Sequence, residues 1–78
     1  MWWLLKKLYE NSEEIAYSYG RETRKQSGKL VYNKQKNNIS IVQLAENDTK
    51  KSAERLLPHF YRIIFDEQCP DERQIAIG

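Results

Sequence analysis

The chain has 78 residues and a mass of 9.3 kDa, enough for one domain with one modest core. Apolar types make up 40% and charged types 31%, a balance that excludes a disordered chain. Lys and Arg total 13 against 11 Asp and Glu, and a net charge of +2 argues against a nucleic-acid coat protein or a polyacidic binder.

Cys69 is the single cysteine and cannot close a disulfide within the chain, so a reducing, cytoplasmic compartment is expected. The apolar opening Met1-Trp2-Trp3-Leu4-Leu5 is followed by Lys6 and Lys7, the reverse of leader-peptide order. No run approaches the ~18 apolar residues of a spanning helix, so no membrane contact is expected. Repeats and low-complexity segments are absent, and residues 1–78 read as one folding unit.

Residues 2–9 fit two readings. As a helix they gather Leu4, Leu5 and Leu8 on one side. As a strand they place Trp3, Leu5 and Tyr9 on one face and Trp2, Leu4 and Leu8 on the other. Both Trp favour the strand, and the next segment needs a partner, so a strand is expected and a helical N-terminal segment is the alternative. The polar stretch Glu10–Glu14 then serves as a hairpin connection. Ile15, Tyr17 and Tyr19 alternate with Ala16 and Ser18 in a second strand. Residues 23–28 read as a loop ended by Gly28. A third strand sets Leu30 and Tyr32 opposite Val31. Lys34–Asn38 is a turn, since Asn accepts the positive φ that hairpin turns require. Residues 39–45 carry the strongest strand signal.

Asn47 or Asp48 is the expected helix N-cap. From there apolar residues at 53, 56, 57, 60, 63 and 64 trace one helix face, which marks Leu56, Leu57, Phe60, Ile63 and Ile64 as core. Pro58 falls on the opposite, water side, where a curved helix absorbs it as a bend, and Lys51, Arg55 and Arg62 form a solvated stripe beside it. Cys69-Pro70 ends the helix. The tail from Arg73 to Gly78 is a short apolar run resembling a strand. The fold expected is therefore α+β. An antiparallel β-meander of three to four strands (about 2–9, 14–22, 28–34 and 39–45) is followed by one long C-terminal helix (about 48–67) and the tail.

Tyr17, Tyr19 and Gly20, then Tyr32, Leu44-Ala45 before Asn47-Asp48, Pro58-His59, and Pro70 followed by Arg73, Ile75 and Ala76 recur as a layout. Together they resemble a class of short bacterial proteins of unassigned function. The resemblance spans most of the chain and supports a strand at the N-terminus. It implies no reaction, cofactor or site residue.

The residues that carry chemistry are sparse. His59 and Cys69 are two potential zinc ligands where a structural site needs about four, so no metal is expected. Cys69 sits at the negative end of the helix dipole, which raises a thiol pKa and disfavours a nucleophile. The carboxylate pairs Glu13-Glu14, Asp66-Glu67 and Asp71-Glu72 fall at turns and element ends, and the glycines are isolated. No catalytic, metal-binding or cofactor-binding residue is assigned, and the chain is not expected to be an enzyme.

Two surfaces remain. Arg21, Arg24, Lys25, Lys29, Lys34 and Lys36 face only Glu22 in charge over residues 21–36, the pattern of a phosphate-contacting hairpin, although Lys on a strand edge also blocks unwanted pairing. Ile15, Tyr17, Tyr19 and Tyr32 form the core face under the helix, an exposed stacking platform or a partner interface. Trp2, Trp3, Ile75 and Ile77 are apolar on both sides of their segments, more than one helix covers, which marks them as a candidate interface. The expected role is a non-enzymatic protein-interaction module that self-associates, as a dimer, with its further protein partner unknown. The alternative is a nucleic-acid-binding protein using the basic hairpin 21–36.

Overall fold

A computed structural model describes residues 1–77, so Gly78, the last residue of the expected tail, lies outside the described residues. The expected order of elements is observed. Strands β1 (Trp2–Glu10), β2 (Glu14–Arg21), β3 (Gly28–Asn33) and β4 (Asn38–Gln43) form the meander, α1 (Lys50–Phe65) follows, and β5 (Glu72–Ala76) completes the chain. The sheet has five strands in the order β4-β3-β2-β1-β5, each pair antiparallel. Short connections enforce the meander, and only the helix is long enough to carry β5 to the far side of β1.

Helix α1 lies against one sheet face. Trp3 and Leu5 of β1, Ile15, Tyr17 and Tyr19 of β2, Leu30 and Tyr32 of β3, and Ile75 of β5 meet Leu56, Phe60, Ile63 and Ile64 in one core. Tyr17 and Phe60 pack edge to face with centroids 5.4 Å apart. The aromatic face of β2 and β3 is thus the core face, and the stacking-platform reading fails. Leu57 is only partly buried, at the rim of the core. Pro58 sits within an unbroken helix on its exposed side, where its missing N–H and its ring are absorbed.

Several local features differ from expectation for identifiable reasons. A β-bulge between Lys7 and Tyr9 makes Leu8 the extra residue and pairs Tyr9 with Ala16, so Tyr9 joins the face away from the helix rather than that of Trp3 and Leu5. The N-cap is Thr49, whose side chain accepts from Ser52 N–H at 3.1 Å. Asp48 is engaged elsewhere. Its wholly buried carboxylate accepts from the Trp3 indole at 3.2 Å and from Thr49 N–H at 2.9 Å, with the Arg21 guanidinium 3.9 Å away. Asn47 adopts φ 64°, outside N-cap geometry. The helix stops at Phe65 rather than near 67, because Gln68 and Cys69 turn to φ 59° and 54° and Cys69 N–H reaches back to the Ile63 carbonyl. Strand β4 ends at Gln43, and Ala45 leaves the sheet to donate its N–H to the buried Tyr19 hydroxyl at 3.0 Å.

The face away from the helix is covered by the chain itself. Residues 22–27 fold back across it, where Ser18 Oγ donates to Gln26 Oε1 at 2.9 Å. A Cβ on Gly20 would stand 2.0 Å from the Lys25 carbonyl oxygen, so the loop lies on the sheet only because residue 20 has no side chain. Leu4, Ala16, Ser18 and Val31 on this face are buried. The expected uncovered sheet face is therefore much smaller than one helix alone would leave.

Candidate interaction surface

A sheet that does not close has two edges, and here they differ. The Ile77 N–H donates to the Met1 carbonyl, which sets the phase of the β1–β5 ladder; the Lys34 N–H donates to the Glu13 carbonyl, which sets the phase of β2–β3 and, by alternation along β3, that of β3–β4. Antiparallel ladders alternate, so Glu72, Gln74 and Ala76 turn their backbone groups outward on β5, and Ile39 and Ile41 do so on β4. The β5 edge is guarded. Glu72 and Arg73 are charged, Arg73 Nη1 donates to the outward Gln74 carbonyl, and Arg73 Nε pairs with Glu67 at 2.8 Å. The β4 strand, Asn-Ile-Ser-Ile-Val-Gln, contains no charge and no proline. Its one protective device is a bulge at Val42, between the pairs Leu30–Ile41 and Lys29–Gln43.

Apolar side chains continue from this edge onto the helix. On the helical wheel Leu57, Tyr61 and Phe65 lie about 60°, 100° and 140° from Phe60, all to the same side. That side faces the β3–β4 end of the sheet: the Phe65 ring packs edge to face on Tyr32 of β3 at 5.2 Å, Tyr61 lies over Phe65 at 4.4 Å, and α1 also touches β4. Tyr61 is 45% exposed, Phe65 47%, Leu44 42% and Val42 58%. Ile41, Leu44 and Lys50 line a shallow cleft of about 210 Å³ at the other end of the strip. The strip therefore combines unpaired backbone with apolar side chains, the two components of strand addition.

The residues marked from sequence are placed differently. Trp3 and Ile75 are buried in the chain's own core, and Trp2 and Ile77 are half-buried beside it. The tail pairs with β1, at the edge opposite β4. The six cations form no single track. Arg21 reaches the Asn47 carbonyl and Asp48 on the helix side, Lys25 pairs with Glu46 at 2.9 Å, and Lys34 pairs with Glu10 at 3.0 Å. Lys29 lies over the Tyr9 ring at 5.5 Å, and Arg24 borders a cleft with Trp2 and Leu4, both on the face away from the helix. Lys36 stands in the β3–β4 turn with no ion pair among the described residues.

His59 lines a groove of about 320 Å³ with Arg62, Glu67 and Arg73, apart from Cys69. Burial pushes the Cys69 thiol up, with the Glu10 carboxylate adding to it. No group of three or more His, Cys, Asp or Glu is placed to hold a metal among the described residues, and no described helix is long and apolar enough to cross a membrane.

The strip on β4 and α1 was not marked from sequence, although two signals for it were present. Tyr61 and Phe65 repeat at i, i+4 off the main apolar stripe, and residues 38–45 lack the charges that the tail carries. No family model, curated protein or solved structure matches this chain.

Proposed function

We propose that the protein is a non-enzymatic interaction module that self-associates through the β4 edge and the adjoining flank of α1. The observation that carries this reading is the contrast between edges, one neutralised by Arg73 and the other left with outward Ile39 and Ile41 backbone beside exposed Tyr61 and Phe65. A protein that had no use for the β4 edge would gain solubility from a single lysine there.

Sedimentation over a range of concentrations tests it. The expected mass rises from 9.3 kDa toward twice that value. Val42→Lys together with Leu44→Lys, both at exposed positions, should hold the protein monomeric with an unchanged far-ultraviolet spectrum. A parent chain that stays at 9.3 kDa at high micromolar concentration refutes the proposal. A salt-sensitive gel shift lost on charge reversal of Arg24, Lys29 and Lys36 would instead support nucleic-acid binding.

A further inference from the structure

We infer that the occupant of the β4 edge is the β4 strand of a second copy, paired antiparallel about a two-fold axis at Ser40, which joins two five-stranded sheets into one of ten strands. This rests on the self-association proposed above and specifies its geometry.

The backbone selects the register. Outward hydrogen-bonding groups within the regular part of β4 belong to Ile39 and Ile41, because the bulge at Val42 ends the regular ladder. Centring the axis on Ser40 sets Ile39 against the partner's Ile41, and Ile41 against the partner's Ile39. Both residues of both copies then exchange N–H and C=O bonds. Centring it on Ile39 would set Ile41 against residue 37, in the turn and at φ 52°. Centring it on Ile41 would carry Ile39 past the bulge to residue 43. Only the Ser40 centre uses all the outward groups.

Charge agrees with the same arrangement. The chain entering β4 carries Lys34 and Lys36, and the chain leaving it carries the exposed Glu46. An antiparallel pair sets the basic end of each strand beside the acidic end of the other, whereas a parallel pair would set like against like. Lys36 has no ion pair within the described chain, and Glu46 is well exposed, held only by the equally exposed Lys25. The axis is perpendicular to the sheet, so both helices stay on one face. Each presents its Leu57, Tyr61 and Phe65 flank toward the seam, and the Ile39 and Ile41 side chains, which share the helix face with Tyr32 and Leu30, meet beneath them.

A cross-link at the axis reads this register directly. Ser40 would face its own symmetry mate as a non-hydrogen-bonded pair, at a Cα separation of about 4.5 Å, within the span of a disulfide. In a full-length Cys69→Ser background, Ser40→Cys should form a covalent dimer under mild oxidant, while Gln74→Cys on the guarded edge should remain monomeric. Lys36→Glu should raise the dimer dissociation constant about two- to thirtyfold, and the double variant Lys36→Glu, Glu46→Lys should restore it. If the parent sediments as a dimer but Ser40→Cys cross-links no faster than Gln74→Cys, the register is wrong and self-association stands. If the parent never exceeds the monomer mass, the underlying reading fails and the inference with it.

Discussion

Phe60 shows most clearly how much one side chain carries in a chain this short. It is wholly buried, packs on Tyr17, and lies at the middle of the apolar face of α1. Phe60→Ala should cost about 3–5 kcal/mol, a large share of the stability of a domain this size, and a urea denaturation curve measures it. A shift of the midpoint too small to resolve would contradict the packing. The buried tyrosines set an alkaline limit. Burial raises the pKa of Tyr17, whose hydroxyl donates to the Pro70 carbonyl, and of Tyr19. Both groups hold their protons more tightly folded than unfolded, so their contribution is complete below the unfolded value of about 10 and is lost as pH rises beyond it. Tyrosinate absorbance followed against pH should show two of the five tyrosines ionising only together with loss of the folded circular-dichroism signal. Ionisation of all five ahead of unfolding would show that neither hydroxyl is protected.

At the scale of elements, periodicity made the helix and the strands legible, while their ends and their exceptions were not. The 3.6-residue stripe through Leu56, Phe60, Ile63 and Ile64 and the alternation of Ile15, Tyr17 and Tyr19 each report which side is dry, and that survives any tertiary context. The bulge at Leu8 has no such signature, since it depends on where the neighbouring strand begins. Thr49 displaced Asp48 as the N-cap because Trp3, 45 residues earlier in the chain, takes the Asp48 carboxylate. The role of Gly20 was hidden for the same reason, as only the folded loop shows what presses against it. The exposed strip on β4 and α1 followed this pattern too. Tyr61 and Phe65 read as extra apolar residues until Tyr32 showed which way they face. Where the pattern was strong, the water side is equally defined. Lys51, Arg55 and Arg62 are exposed beside Pro58 and make no ion pairs within the described chain. Replacing all three with Gln should change the melting temperature by no more than a few degrees, since exposed substitutions of this kind fall within about 0.5 kcal/mol each. Loss of folded protein in thermal melts of the triple variant would mean that this stripe is structural.

At the scale of the whole molecule, the residues marked as a candidate interface are largely taken up by the chain's own fold. Trp2, Trp3, Ile75 and Ile77 looked unsatisfied because a single helix cannot cover both sheet faces, but the loop 22–27 lies over part of the second face and β5 pairs with β1. What remains open is a rim rather than a face. The Arg73 side chain, laid along the opposite rim, then acquires a meaning beyond that one strand. A sheet with two bare rims polymerises, each new copy offering the next a fresh template. A sheet with one bare rim and one capped rim runs out of templates after a single addition. In the self-association proposed above, the guanidinium over the Gln74 carbonyl would act as a terminator: it would limit the assembly to two copies and separate a finite particle from a fibre by the placement of one side chain.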